Sequence, residues 1–100
     1  MVYGDTRTYP DVHDLVAGAM VETYNQDEEF RTIALLLGDI VGHGNMQDYW
    51  QCEFFDPART NIRTLHADLP STACIGNHEE SGLLFSRYFP HPFVANRYWS

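Results

Sequence analysis

Short apolar runs alternate along the chain with longer segments in which apolar residues recur at helical spacing. The runs predict three strands, Met1–Gly4, Thr32–Leu37 and Ser71–Ile75, and a further strand beginning over Asn96–Ser100. The amphipathic segments predict four helices, Asp11–Tyr24, Asn45–Phe55, Pro57–His66 and Glu80–Tyr88. Since strands and helices alternate, we expect an α/β fold with parallel strands joined by right-handed β-α-β connections.

These elements carry expectations about burial. Thr32–Leu37 is a continuous apolar run, typical of a strand covered on both faces. In the first helix Asp11 is the predicted N-cap, His13 is expected at the surface, and the predicted buried face is Val12, Leu15, Val16, Met20 and Tyr24. In the second helix the stripe of Met46, Tyr49, Trp50, Phe54 and Phe55 is expected to pack in the core rather than to bind a ligand.

Length and composition restrict the class of protein. One hundred residues suffice for one small domain. With 44% hydrophobic and 20% charged residues, the chain has the composition of a folded protein rather than a disordered one. No apolar run approaches the roughly 20 residues that cross a bilayer, so no membrane partner is expected.

Charge narrows the partners further. Six basic residues, all arginine, against fourteen acidic residues give a net charge of −8. Nucleic-acid binding by phosphate neutralisation needs a basic surface, so this class of partner is not expected. An acidic chain can still act on phosphate esters if bound metal ions supply the positive charge.

One pattern recurs three times: an apolar strand ends in glycine, and the next residue carries a side-chain oxygen. The three pairs are Gly4-Asp5, Gly38-Asp39 and Gly76-Asn77. Parallel strands place their carboxyl ends at one edge of the sheet, where open α/β sheets bind ligands. The three oxygens are therefore expected to converge. Carboxylate and amide oxygens are ligands for hard cations, and crowded carboxylates favour a cation between them.

The third pair continues as His78-Glu79. An imidazole beside a metal-bound phosphate can give a proton to the leaving oxygen, so His78 is a candidate general acid. Glu79 is a candidate to orient it, or alternatively an acid that is stabilised by a helix N-terminus. A metal pair could hold the phosphoryl oxygens and activate a water molecule.

These motifs resemble the first three motifs of the calcineurin-like metallophosphoesterases, in family order. The flanking residues are most similar to the purple acid phosphatase-like branch: Tyr3-Gly4-Asp5-Thr6-Arg7, Gly38-Asp39-Ile40-Val41, Tyr49-Trp50, Phe54-Phe55-Asp56-Pro57 and Gly76-Asn77-His78-Glu79. The resemblance covers nearly the whole chain and implies the parallel-strand β-α-β half of an αββα sandwich.

The resemblance also implies residue roles. Asp5 would bind a first metal, Asp39 would bridge two metals, and Asn77 would bind the second metal and the substrate phosphate. His78 would be the catalytic acid or an oxyanion stabiliser. The cofactors implied are two divalent or trivalent ions, iron, manganese or zinc, and the implied partner is a phosphomonoester or phosphodiester substrate.

Several positions depart from the family pattern. Arg7 stands where family members usually have a metal-binding histidine, and Gly42 stands where purple acid phosphatases have a tyrosine. His43 and His13 are candidates for the missing ligand of the first metal. Arg7 is a candidate for bidentate binding of phosphate. No Gly-His-x-His motif follows Glu79. We therefore expect residues 1–100 to be a single partial domain, the N-terminal half, inactive by itself.

Two other interpretations stay open. The chain could be a non-catalytic module that binds metal or self-associates through an exposed sheet edge. It could also be an ordinary α/β domain, since Gly-Asp pairs are common in turns. Metal binding without hydrolysis of a phosphate ester would favour the module, and the absence of metal binding would favour the ordinary domain.

Overall fold

A computed structural model describes residues 1–91. Its strands are β1 Val2–Tyr3, β2 Ala34–Leu36 and β3 Ser71–Ala73. Its helices are α1 Pro10–Gln26, α2 Gln47–Tyr49, α3 Thr60–Asp68 and α4 Leu83–Tyr88. A 3-10 turn, Glu28–Phe30, precedes β2, and a π-helical turn, Trp50–Phe54, continues α2. None of these helices is both long and apolar enough to cross a bilayer. The α/β prediction is confirmed at this level, and the strand predicted over 96–100 lies outside the described residues.

The three strands form one parallel sheet in the order β1-β2-β3. Each strand continues at its carboxyl end into a loop, and we name these the first loop (4–9), the second loop (37–46) and the third loop (74–82). Parallel pairing brings the three loops to the same edge of the sheet, as the recurrence of the Gly-Asp and Gly-Asn pairs predicts.

The helices pack against one face of the sheet. Tyr3, Leu36 and Ala73 are in register across the strands. This row joins a core cluster from the second loop, the π-helical turn and the α4 region: Ile40, Val41, Trp50, Phe54, Phe85 and Phe89. A second cluster joins α1 and α3 to β2: Ala17, Tyr24, Ala34, Ile62, Leu65 and Leu69. Burial of these side chains is the main stabilising contribution to the fold.

The opposite face of the sheet has little cover from residues 1–91. Its cross-strand row is Val2, Leu35 and Thr72, which alternates with the buried row. Val2 is 59% exposed, and Leu37, just beyond β2, is 61% exposed. The prediction that 32–37 is covered on both faces is therefore wrong for the described chain, because both core clusters use the same face.

The buried face of α1 differs from the predicted one. His13, Ala17 and Tyr24 are the buried residues of this helix, whereas Leu15 is 73% exposed and Val12 and Val16 are also exposed. Apolar residues occur all around α1, so spacing alone did not identify the face that packs on α3. Asp11 is not the N-cap either, because the helix begins at Pro10 after Tyr9, and the carboxylate of Asp11 instead pairs with Arg59.

The aromatic stripe of α2 is only partly in the core. Trp50 and Phe54 are buried, and the indole Nε1 of Trp50 donates to the carbonyl of Gly44 at 2.8 Å. Met46 and Phe55 are exposed, contrary to the prediction. The π-helical turn changes the angular spacing of these residues, so the stripe does not stay on one face.

A buried polar cluster links β1, α1 and α3. The hydroxyl of Tyr3 lies 2.7 Å from Nε2 of His66 and 3.5 Å from Nε2 of His13, and Nδ1 of His66 lies 2.7 Å from the hydroxyl of Ser71. His13 is buried, so its predicted surface position is wrong. Burial lowers the pKa of His13 to about 4, although Asp14 and the backbone of Glu53 oppose this shift. Burial, together with His13, lowers the pKa of His66 to about 4.

The two histidines predict acid sensitivity of the fold. Between pH 6.5 and 4 the unfolded chain binds up to two protons that the folded chain does not. The free energy of unfolding should therefore decrease as the pH falls, by up to about 2.7 kcal/mol per pH unit. Urea unfolding at pH 7, 6 and 5 measures this slope. The His66→Gln variant has no imidazole at position 66, so the two histidines' contribution to the slope of the unfolding free energy against pH should fall to about half. An unchanged slope in this variant would contradict the explanation.

Candidate functional site

Backbone hydrogen bonds join the first and second loops. The N–H of Asp5 donates to the carbonyl of Gly38 at 3.0 Å, and the N–H of Arg7 donates to the carbonyl of Asp39 at 3.2 Å. The hydroxyl of Thr6 adds a bond to the carbonyl of Ile40 at 3.2 Å. These bonds continue the β1–β2 pairing past the ends of the strands and place Asp5 and Asp39 on adjacent segments.

The second and third loops approach each other closely. The N–H of His78 donates to Oδ1 of Asp39 at 3.0 Å, and the N–H of Gly44 donates to the carbonyl of His78 at 2.8 Å. A Cβ atom at Gly38 would lie 2.7 Å from the backbone nitrogen of Gly76, and Gly38 has a φ of +93°. Glycine is required at position 38 because both this contact and this backbone angle exclude a side chain.

Glu79 is fully buried between these two loops. Its carboxylate accepts hydrogen bonds from the N–H groups of Asp39 at 2.9 Å, Ile40 at 2.7 Å and Gly76 at 2.6 Å. The structure therefore directs this carboxylate to the backbone, whereas the sequence made it a candidate for orienting His78. It holds the ends of β2 and β3 in one arrangement, because each unmet buried N–H would cost about 1–3 kcal/mol.

Asp5 and Asp39 share one cation, the guanidinium of Arg7. Nε of Arg7 lies 3.1 Å from Oδ1 of Asp5 and 3.6 Å from Oδ2 of Asp39. The contact is mainly Coulombic, since this Nε has no acceptor in hydrogen-bonding geometry. The Asp39 side chain is 18% exposed and that of Asp5 is 73% exposed. The pair is thus accessible from solvent, and positive charge already lies beside it.

Both aspartates have strained backbones. The φ angle is +53° at Asp5 and +52° at Asp39, in the left-handed region that costs a non-glycine residue about 1–3 kcal/mol. Such conformations persist where the surrounding contacts maintain them, and they occur often at functional sites. Here the maintaining contacts are the backbone bonds between the loops and the carboxylate of Glu79.

His78 is oriented by the second loop. Its Nδ1 lies 2.8 Å from the carbonyl oxygen of Gly42, and the side chain is half-buried. Because a carbonyl only accepts hydrogen bonds, Nδ1 carries the proton and Nε2 is the nitrogen left for other chemistry. Thus His78 has the defined orientation that a proton donor or a phosphate contact needs.

His43 in the second loop and Asn77 in the third loop are two further exposed candidate residues. His43 is exposed, its ring contacts Tyr49 edge to face, and its Nδ1 lies 3.4 Å from Oε1 of Glu80. The pKa of Glu80 is held below its usual value by the backbone N–H of Asn45 and then by His43. The structure thus places His43 beside Glu80. Asn77 is exposed in the third loop, next to the half-buried His78.

The acidic side chains alone do not form a complete metal site. Across residues 1–91, no three side chains of His, Cys, Asp or Glu converge closely enough to hold an ion. Among the ligands that the sequence predicts, the oxygen donors are the carboxylates of Asp5 and Asp39 and the amide of Asn77. This set has the right chemistry for a hard cation but leaves several coordination positions for other ligands.

A cavity of about 170 Å³ opens beside the first loop, and its lining includes Asp5, Arg7 and Val12. A larger cavity of about 580 Å³ lies at the amino end of β3, lined by residues such as Ser71, Phe54 and Phe89. Of these two cavities only the smaller one is lined by charged groups of the first loop, Asp5 and Arg7, and neither Asp39 nor His78 lines it.

One residue of this region was missed at the level of sequence. Glu53 is buried, and its carboxylate accepts from the N–H groups of Thr8 at 3.2 Å and Gly42 at 2.8 Å. The available signal was an acidic residue within an apolar aromatic segment, where a charge is costly unless it is hydrogen-bonded.

Comparison with known proteins leaves the family question open. No protein-family profile, no curated protein and no solved structure matches the chain. The metallophosphoesterase resemblance therefore rests on the sequence motifs alone.

The buried carboxylate of Glu79 is expected to contribute to the free energy of unfolding. Glu79→Ala removes the acceptor of three backbone N–H groups and is expected to lower the free energy of unfolding by about 2–4 kcal/mol. Chemical denaturation at pH 7 measures it. The matched control is Glu28→Gln in the exposed 3-10 turn, expected to change the free energy by less than about 0.5 kcal/mol. Similar small effects of both substitutions would show that Glu79 does not hold the loops together.

Proposed function

We propose that this chain is the N-terminal half of a metal-dependent phosphoesterase, which hydrolyses a phosphomonoester or phosphodiester with metal-activated water. The observation that carries the proposal is the position of Asp5 and Asp39. Their carboxylates lie on adjacent loops at the carboxyl edge of the parallel sheet and share the charge of Arg7, and the carboxylate of Asp39 also accepts from the backbone N–H of His78.

The donor set fits one or two hard cations in part. Asp5, Asp39 and Asn77 would hold them, and the proximity of Arg7 to both carboxylates supports a preference for positive charge at this position. Bound ions would supply positive charge to the phosphoryl oxygens and make water a stronger nucleophile at neutral pH. His43 is the candidate for an additional ligand from the rim of the second loop.

The chain's own side chains have separate tasks in this proposal. Asp39 accepts from the N–H of His78, which keeps the third loop against the second. In its doubly protonated form, His78 keeps the Nδ1 proton on the carbonyl of Gly42 and gives the Nε2 proton to the leaving oxygen, which leaves a neutral imidazole. Arg7, half-buried beside both aspartates, binds two phosphate oxygens in a bidentate manner through the terminal nitrogens of its guanidinium. The role of Glu79 is to hold Asp39 rather than to exchange protons.

The sheet face that residues 1–91 leave without cover supports the proposal of a half domain. An apolar face with Val2 at 59% and Leu37 at 61% exposure is suited to a second layer. A non-catalytic module is the second candidate function. The observation that favours it is that only two acidic side chains of the described chain meet at the site.

Manganese titration tests the metal assignment. The 100-residue chain should bind Mn²⁺ in isothermal calorimetry. Asp39→Asn should weaken binding about tenfold or more, because it removes the charge of one donor but keeps the shape. The matched control is Asp27→Asn, whose carboxylate likewise accepts a backbone N–H but lies in the exposed turn before Glu28–Phe30. Equal binding by the wild type and Asp39→Asn would contradict the assignment.

Hydrolysis of a chromogenic phosphate ester separates the two candidate functions. Binding of Mn²⁺ without turnover by the chain, or by a longer protein that contains it, would favour the module. For the phosphoesterase, His78→Ala in an active protein should lower kcat about 100-fold or more while Mn²⁺ binding is retained. Unchanged turnover of His78→Ala would contradict the role of proton donor.

A further inference from the structure

Glu53 is a buried carboxylate that the proposed chemistry does not use directly. A single oxygen, Oε2, accepts from the N–H of Gly42 at 2.8 Å and from the N–H of Thr8 at 3.2 Å. These two donors belong to different loops, 34 positions apart in sequence. A buried charge is unfavourable without such partners, so both hydrogen bonds are needed to keep Glu53 where it is.

The π-helical turn Trp50–Phe54 explains how Glu53 reaches the loops. The N–H of Phe55 donates to the carbonyl of Trp50 at 2.8 Å, a bond between residues five positions apart. The wider turn leaves Trp50 and Phe54 in the core and directs the carboxylate between them toward Thr8 and Gly42. Isolated π turns often occur at functional sites, and this one places its buried acid against the strand-end loops.

Both hydrogen bonds act on residues next to the site. Thr8 follows Arg7 and has a φ of +76°, so its N–H is held where the backbone is strained. Gly42 provides the carbonyl that accepts from Nδ1 of His78. Glu53 therefore maintains the segment that presents Asp5 and Arg7 and, at the same time, the carbonyl that orients His78.

We infer that Glu53 is a positioning residue of the cation and phosphate site, acting through the N–H groups of Thr8 and Gly42. Together with Glu79 it completes a pair of buried acids. Glu79 joins the second loop to the third, and Glu53 joins the first loop to the second. The inference rests on the proposed function, because it assigns Glu53 a part in presenting that site.

Calorimetric titration of the 100-residue chain with Mn²⁺ tests this role. Glu53→Ala removes the acceptor and should weaken Mn²⁺ binding about tenfold or more, the usual effect of losing a group that supports metal ligands. Glu53→Gln keeps an oxygen that can accept both N–H groups and should bind within about threefold of wild type. If Glu53 acted only through its negative charge, Glu53→Ala and Glu53→Gln would instead bind Mn²⁺ with the same affinity.

The matched control is Asp14→Ala. One oxygen of Asp14 likewise accepts two backbone N–H groups, those of Asn61 at 3.0 Å and Ile62 at 3.1 Å, but it joins α1 to α3. This variant should lose stability and bind Mn²⁺ like wild type. If Asp14→Ala weakens binding as much as Glu53→Ala, loss of stability explains both results and the inference is wrong.

Amide hydrogen exchange keeps this test independent of the proposed function. Failure of the wild type to bind Mn²⁺ would contradict the metal assignment, whereas exchange still reports on Glu53. In Glu53→Ala the amides of Thr8 and Gly42 should exchange at least about tenfold faster, while the amide of Ile62 keeps its wild-type rate. Wild-type exchange at both Thr8 and Gly42 in this variant would overturn the inference.

Discussion

The arrangement of the strand-end loops depends on hydrogen bonds from backbone N–H groups to buried carboxylates. Glu79 accepts three of them, from Asp39, Ile40 and Gly76, at the point where β2 and β3 end. Short strands supply few ladder bonds, so the positions of the loops need another source of order. A buried acid provides it, because moving either loop away would leave a charge without partners in the protein interior.

The electrostatics of the site follow from this order. Asp5 and Asp39 are brought together by the parallel sheet, and their mutual repulsion is reduced by Arg7. In a chain with a net charge of −8, an accessible pair of this kind attracts cations rather than anions. The proposed phosphate chemistry would therefore require positive charge from Arg7, from bound metal, or from both.

The sequence was informative where geometry leaves few choices. Gly-Asp and Gly-Asn pairs after apolar runs predicted convergence of the side-chain oxygens of Asp5, Asp39 and Asn77, because parallel strands end at one edge. The structure brings Asp5 and Asp39 to Arg7, and it brings the third loop to Asp39 through the backbone of His78. The sequence was less informative where side-chain packing determines which residues are buried. The buried side of α1 could not be read from apolar spacing around a helix that has Leu15 exposed and His13 buried. The hydrogen-bond partners of Glu53 could not be predicted, since Thr8 and Gly42 are distant in sequence and a π turn sets the direction of the side chain.

Paramagnetic broadening by Mn²⁺ in the amide spectrum of the chain tests the cation site at the sheet edge, because it locates a bound cation residue by residue. We expect substoichiometric Mn²⁺ to broaden the amides of Asp5, Asp39 and Asn77 together and selectively. These residues are 34 and 38 positions apart in sequence and share only the carboxyl edge of the sheet. Broadening centred on the acidic stretch Asp27–Glu29, with the three loops unaffected, would contradict it.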